Sequence, residues 1–449
     1  MQIRENDWIL LQQPDGYLRL CQVKPDTCID LARYGVIKAN DLVGKSFGCV
    51  YTVTKQGLEV CTKGTTEDVV VEGDLTMRTN DTIFDDNSSQ KLSHDQIMLL
   101  KEDMEAGRLS PDALIDTVIQ NSESFERKNE FAKLKYKRRK ESKFARWIKP
   151  VECTVYNLCL YHQLRDATRI GHLRMDSLSI TLNLANVFEG QTVLCMDETR
   201  GFLLGALGKL NQTGMTIALY DGQYHQPYQA EPFMVSDALY SVSFDSLKTK
   251  SLTPMHPESN DRFKLKYARM ERALNAVIHR KCTSLVMTLL DGPVDDQKFE
   301  LAVSALQLSS PIVVYSPFNH LLAQLYGRLL SDPRFVDVRM QEPWMREYQT
   351  AAGRCHPMMT MSGHGGYILS CTLSHECLSV RLSAEDHTYK KLKKIKSLQE
   401  RFSKANVLQT GFRVETRFHR QIQAIRHHPV HVDRVRQALC VLDLCINAL

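Results

Sequence analysis

Residues 193–207 read VLCMDETRGFLLGAL, and this stretch decides the fold of the larger part of the chain. Its first four residues form an apolar run of the length of a buried strand, and the apolar residues from Phe202 onward are spaced like a buried helix. A second apolar run follows at 215–220. A strand, a short turn, a helix and another strand make a β-α-β unit, so we expect the two strands to be parallel neighbours in one sheet.

The same alternation continues toward the C-terminus. Further strands are predicted at 284–290, 311–315, 335–340 and 366–373. A basic helix is predicted over 262–281, and a second helix continues through Leu330. Because a long loop without a helix separates the last two strands, we expect the sheet to end in an antiparallel pair. The rest of the pattern predicts a doubly wound, Rossmann-like α/β sheet.

The turn inside 193–207 is unusual for a sheet of this kind. An open parallel sheet binds its ligand at the carboxyl ends of its strands, where glycines let the backbone approach the ligand. A methyltransferase of this architecture has an acidic residue at the end of the strand and then a G-x-G-x-G turn. Here Cys195 takes the acidic position, Asp197 and Thr199 replace the first two glycines, and only Gly201 remains. The added side chains and negative charge predict that this turn binds S-adenosylmethionine poorly.

The N-terminal part of the chain has a different pattern. Residues 3–62 contain short alternating apolar runs separated by turns, which predicts a small β-barrel or sandwich. Ser93 with Gln96 forms a capping box, and Ser110 followed by Pro111 is a second helix start. These starts predict a helical connector over about 93–147.

Positive charge is concentrated in two segments. Residues 124–150 contain eleven Lys or Arg against three Asp or Glu, and residues 381–449 contain fourteen against six, although the whole chain has a net charge of only +5. Such a partition is typical of surfaces that meet a polyanion. For the first segment, a solvated helix, a nuclear-import signal and a phosphate-contacting arm all remain open on composition alone.

Composition also limits the class of protein. The thirteen cysteines include no C-x-x-C pair, so we expect reduced thiols and no metal site. No apolar run approaches the roughly 18 residues that span a bilayer. A soluble intracellular protein with no membrane contact is therefore expected.

Short motifs in a fixed order resemble a known family. They include DLVGKSFG at 41–48, SQKLS at 89–93, RMDSL at 174–178, LANV at 184–187, WMREYQ at 344–349, RCHP at 354–357 and MSG at 361–363. In this order, over about residues 3–374, the chain resembles the non-catalytic subunit of the eukaryotic tRNA (adenine(58)-N(1))-methyltransferase. No counterpart of the segment after about Leu382 is recognised.

The resemblance implies an N-terminal β-barrel followed by a methyltransferase-like fold with a degenerate cofactor loop. The expected divisions are a barrel domain at 1–90, a basic helical connector at 91–150, a Rossmann-like domain at 151–380 and a basic extension at 381–449. The resemblance also implies that this chain binds tRNA but no cofactor. A homologous catalytic subunit would supply S-adenosylmethionine and the chemistry, in a two-plus-two heterotetramer in the nucleus.

The resemblance and the basic run together give the candidate tRNA contacts. They are Gln90, Lys91, Lys133, Lys135, Tyr136, Lys137, Arg138, Arg139, Lys140, Lys143, Arg165, Arg169, His172, Arg346, Tyr348 and Arg354. Two alternatives remain open. One is an active S-adenosylmethionine-dependent RNA methyltransferase with Asp291 as general base, and the other is an RNA-binding factor unrelated to methylation. Asp221, in the place of a ribose-binding acid, is interpreted as mainly structural.

Overall fold

The computed structural model describes residues 1–54, 56–61, 90–128, 130–222, 227–252, 261–350 and 355–374. Arg354 and the basic extension at 381–449 lie outside the described residues, so what the sequence predicts for them stays a prediction.

The N-terminal part is built around a five-stranded antiparallel sheet. Its strands are β1 (Trp8–Gln12), β2 (Leu18–Gln22), β5 (Tyr51–Thr54), β6 (Gly57–Val60) and β7 (Trp147–Glu152), and a separate hairpin is formed by β3 (Cys28–Asp30) and β4 (Val36–Lys38). The order is β2-β1-β7-β5-β6. Within the described residues β2 and β6 are the two edge strands, and they do not pair with each other.

The strand β7 corrects one sequence-based assignment. The sequence places residues 147–150 in the helical connector, but Pro150 pairs with Leu11 of β1, and Ile148 pairs with Tyr51 of β5. Ile148 is fully buried with Ile9 in the core of the sheet. A strand inserted from more than 80 residues away leaves no local pattern, which is why the sequence did not reveal it.

In the described residues between β6 and β7 there are three helices. They are α1 (His94–Glu105), α2 (Pro111–Gln120) and α3 (Glu130–Phe144). Both predicted helix starts are confirmed: Ser93 and Gln96 exchange the two hydrogen bonds of a capping box, and the Ser110 hydroxyl accepts from the Ala113 amide at 3.2 Å. Leu114 and Val118 of α2 pack with Phe144 at the end of α3, so the helices share a small core.

The larger part of the chain is an α/β domain. After α4 (Val155–Asp166) and α5 (Met175–Leu184), its elements are β8 (Thr192–Met196), α6 (Phe202–Leu210), β9 (Met215–Tyr220), β10 (Leu239–Ser243), α7 (Phe244–Thr249), α8 (Asp261–Ile278), β11 (Ser284–Thr288), α9 (Asp296–Ser304), β12 (Pro311–Ser316), α10 (Asn319–Ser331), β13 (Phe335–Gln341), β14 (Tyr348–Gln349), β15 (His356–Pro357) and β16 (Tyr367–Leu373).

Seven of these strands form one sheet in the order β10-β9-β8-β11-β12-β16-β13. The first five are parallel, and β16 is antiparallel to both of its neighbours. The Rossmann-like fold and the antiparallel pair at the end are therefore confirmed. Alternate residues enter separate cores on the two faces: Leu194 lies in one, and Val193 and Cys195 lie in the other. The strand order reverses between β8 and β11, where a sheet of this class binds ligands.

Candidate nucleic-acid interface and degenerate cofactor turn

Asp197 caps the helix that follows β8. Its Oδ1 accepts from the Thr199 amide at 2.6 Å and from the Thr199 hydroxyl, and its Oδ2 accepts from the Leu204 amide at 3.2 Å. Burial raises the pKa of this carboxyl, while the hydrogen bonds from Thr199, Leu204 and Gly201 act in the opposite direction. The amides at the start of α6, which could bind an anionic ligand, therefore bind side chains of the same turn: Leu204 donates to Asp197, and Leu203 donates to the Thr199 hydroxyl at 3.0 Å.

Glu198 crosses from β8 to β11 at the switch point. Its amide donates to the Thr288 hydroxyl at 2.7 Å. Its carboxylate accepts from the Leu290 amide and, at 3.3 Å, from the Asp291 amide. Burial is the main cause that raises the pKa of Glu198. The side chain thus links the two turns between which a ligand of this fold would lie.

Gly201 is retained for a conformational reason. Its φ is +99°, and a Cβ added here would lie 2.5–2.8 Å from atoms of Pro227. The next polypeptide segment also contacts the turn, since the Gln229 amide donates to the Arg200 carbonyl at 3.1 Å. The last glycine of the motif therefore allows close packing of two segments, independently of any ligand.

The two remaining acids at this edge are exposed. Asp221 forms an ion pair with Lys298 of α9, and its side chain remains 63% exposed. Asp291, the general base of the active-enzyme alternative, offers its amide to Glu198. These contacts agree with a structural role for Asp221.

The helix α3 carries the predicted basic run. Lys135, Lys137, Arg138, Arg139 and Lys143 are exposed. They follow one another at spacings of one to four residues, so their side chains leave the helix in several directions. The run is therefore a charged helix surface rather than a buried ion-pair network.

The aromatic residue of the run is engaged inside the protein. Tyr136 is half-buried, and its ring lies 5.6 Å from the ring of Phe125. The Lys140 ammonium lies 4.9 Å from the centroid of the Tyr136 ring, and Lys128 lies 5.7 Å from it. Lys133 lies 3.5 Å from Glu126 and is only 22% exposed. Tyr136 and Lys133 therefore stabilise α3, whereas the exposed cations remain accessible.

The predicted contacts at 90–91 lie at the end of α2. The Gln90 side chain donates to the Val118 carbonyl at 3.0 Å, and its backbone bridges to Ser122. Lys91 is exposed and lies 3.5 Å from Glu123. Gln90 is thus held within the protein, and Lys91 can reach solvent.

A second predicted group lies at the end of α4 and in the turn after it. Arg165 is exposed and donates to the Tyr161 hydroxyl at 2.7 Å, and Arg169 lies 3.2 Å from Asp166. His172 is exposed and has a φ of +56°. This segment leads directly into Arg174, which connects it to the third group.

Arg174 and Asp176 hold the long loop between β13 and β16. The Arg174 guanidinium donates to the carbonyls of Met345, Ser362 and His364 at 2.5, 3.4 and 3.5 Å. Asp176 accepts from Arg174 at 3.1 Å and from the Met345 amide at 2.7 Å. The side chains of the pair are 12% and 8% exposed. The sequence showed these residues only as marks of the resemblance, because their partners lie about 170 positions away.

The same loop carries the last predicted contacts. The Arg346 guanidinium lies 5.3 Å from the ring of Trp344, and Tyr348 is 54% exposed. Tyr348 belongs to β14, which pairs with β15 at Pro357. A cation and two aromatic rings are thus exposed on a loop that Arg174 fixes.

Other kinds of site are not seen in the described part of the chain. It contains no group of three or more His, Cys, Asp or Glu residues that could hold a metal ion. No helix there is both long and apolar enough to cross a membrane.

Known proteins resemble this chain over most of its length. The tRNA (adenine(58)-N(1))-methyltransferase non-catalytic subunit TRM6 of Eremothecium gossypii is 29% identical, over 82% of this chain and 91% of the relative. The protein of that name from Mus musculus is 25% identical, over 82% and 88%. A solved tRNA (m1A58) methyltransferase from Aquifex aeolicus aligns at 12% identity and a TM-score of 0.42, over 83% and 99% of the two chains.

The model of one protein family matches residues 2–296. This range includes the N-terminal sheet, the basic helix α3 and the degenerate turn at 197–201. The match extends over more than half of the chain, and the chain belongs to the Gcd10p family.

Proposed function

We propose that this chain is the non-catalytic, tRNA-binding subunit of a heteromeric enzyme that methylates N1 of adenosine 58 in tRNA. The observation that carries the proposal is the similarity, over 82% of the chain, to proteins named as that subunit. A homologous catalytic subunit supplies S-adenosylmethionine and the methyl-transfer chemistry.

The residues of the degenerate turn do not fit S-adenosylmethionine. Asp197 accepts from the Leu204 amide at the start of α6, and Glu198 spans the gap between the turns after β8 and β11. A cofactor carboxylate placed there would meet two carboxylates instead of free amides. We expect titration calorimetry of the isolated chain to give no binding heat at millimolar cofactor. Binding of S-adenosylmethionine to the isolated chain would favour the alternative of an active methyltransferase with Asp291 as general base.

Methyl transfer by a reconstituted pair tests the function itself. The chain is combined with a candidate partner that has an intact G-x-G-x-G turn, and methylation of adenosine 58 is measured with labelled cofactor. We expect activity from the pair and none from this chain alone. Full activity of the partner by itself would overturn the proposal.

The exposed cations of α3 are proposed to contact tRNA phosphates. Each neutralised phosphate releases counterions, so binding should weaken steeply as salt increases. Changing Lys137, Arg138, Arg139 and Lys140 to Ala should lower the slope of log K against log salt by up to about 3.6. Assembly with the partner should be unaffected.

A control variant separates local contact from total charge. Arg262, Lys264, Lys266 and Arg272 are exposed cations on α8, and changing all four to Ala removes the same net charge. If the control weakens tRNA binding as much as the α3 variant, the assignment of the arm is wrong.

We further propose a two-plus-two heterotetramer, a nuclear location and a closed N-terminal barrel. The basic run at 137–140, in which Lys137, Arg138 and Arg139 are exposed, supports nuclear import, and the five-stranded sheet supports the barrel. Native mass spectrometry of the pair gives the stoichiometry, and microscopy of a fluorescent fusion gives the location. A mass that corresponds to one copy of each subunit would contradict the heterotetramer. A fusion protein found in the cytoplasm would contradict the nuclear location.

A further inference from the structure

Two lysines from different helices lie against one buried ring. The ammonium of Lys101, on α1, lies 5.7 Å from the centroid of the Phe144 ring, and that of Lys143, on α3, lies 5.5 Å from it. Phe144 is only 4% exposed, so its position is fixed by packing. Lys140, one turn before Phe144, adds a third ammonium beside Tyr136. Lys101 of α1 and Lys143 of α3 thus share one ring, and Lys140 lies beside another aromatic ring of α3.

No carboxylate in the described part of the chain forms an ion pair with Lys101, Lys140 or Lys143. Other cations of this region do have acidic partners: Lys91 has Glu123, and Arg108 has Asp103. The pKa of Lys143 is lowered, mainly by burial and then by the positive charges of Lys101 and Lys140. These cations therefore repel one another, and an anion between them would relieve the repulsion.

The cluster is also held in place. Ile97, Leu100 and Met104 of α1 pack against the core formed by α2 and Phe144. Lys101 lies on the same helix, so its backbone is fixed relative to α3 before any ligand binds. A fixed arrangement of cations reduces the ordering cost of binding an anion.

We propose that Lys101, Lys140 and Lys143 form a binding site for a phosphodiester group of RNA, which extends the interface from α3 onto α1. Lysine suits this ligand because its ammonium acts as a point charge toward phosphate oxygens. Lys101 is the new element, since it lies more than 20 residues before the basic run. The proposal rests on tRNA binding by this chain.

The test compares single variants of the complete pair. Lys101→Ala should weaken tRNA binding about fivefold at 0.15 M salt and lower the salt slope by about 0.9. Lys101→Arg keeps the charge and should bind within about twofold of the unmodified pair. Lys264→Ala, on α8, is the matched control and should change neither quantity. Unchanged affinity and slope for Lys101→Ala would overturn the site.

A second measurement does not depend on affinity. Nuclear magnetic resonance of the Lys143 side chain follows its titration in the full chain. Lys101→Ala should raise the pKa of Lys143 because it removes a neighbouring positive charge, and bound tRNA should raise it further. If the unmodified pair binds no tRNA, the proposed function fails. If tRNA binds but leaves the Lys143 titration unchanged, only the site fails.

Discussion

Replacing Asp197 by Ala tests whether the degenerate turn is built around its own carboxylate. The change removes the acceptor of the Thr199 amide, in the turn after β8, and of the Leu204 amide, in the first turn of α6. An amide in the first turn of a helix has no intrahelical acceptor, so the helix does not replace the hydrogen bond that Leu204 loses.

The expected cost follows from these contacts. A capping side chain contributes about 0.5–2 kcal/mol, and a hydrogen bond to a charged group contributes roughly 1.5–3 kcal/mol. Desolvation of the carboxylate offsets part of this, as the raised pKa of Asp197 indicates. We therefore expect Asp197→Ala to lower the free energy of unfolding by about 2 kcal/mol, which corresponds to a decrease in Tm of roughly 4–8 °C.

Urea unfolding of the full chain, followed by circular dichroism, measures this cost. Asp221→Ala is the matched control at the same edge of the sheet. Its ion pair with Lys298 is solvent-exposed, so its loss should cost less than about 1 kcal/mol. Equal stability of Asp197→Ala and the unmodified chain would refute the capping role. Asp197→Gly should also be destabilised, because glycine likewise removes the carboxylate that accepts from Thr199 and Leu204.

Three further predictions concern other parts of the domain. Arg174→Ala should destabilise the loop between β13 and β16 by about 3 kcal/mol and expose it to limited proteolysis, and Arg174→Lys should not restore it because an ammonium lacks the guanidinium fork; unchanged cleavage would contradict this. Gly201→Ala should destabilise far more than Gly222→Ala, since both have positive φ but only Gly201 lies against Pro227; equal unfolding midpoints would refute the packing role. Burial lowers the pKa of His162 to about 4, so protonation favours the unfolded chain. The free energy of unfolding should therefore fall by up to about 3 kcal/mol as the pH decreases from 6.5 toward 4. His162→Phe should reduce this dependence, and an unchanged pH profile would show that another group causes it.

The sequence by itself determined the features that depend on neighbouring residues. The two helix starts at Ser93 and Ser110 follow from side chains that bond amides three positions away. The alternation of strands and helices gave the parallel sheet and its antiparallel end. The missing glycines at 197 and 199 indicated a damaged cofactor turn, because glycine is needed wherever backbone approaches a ligand.

Only the tertiary structure showed the contacts between residues that are far apart in the sequence. Glu198 reaches amides about 90 positions away, Arg174 holds a loop about 170 positions away, and Trp147–Glu152 completes the N-terminal sheet. Lys101 and Lys143 lie against the same Phe144 ring only because α1 and α3 pack on one core. Such contacts depend on how distant segments are brought together when the chain folds, and no local pattern of residue types specifies them.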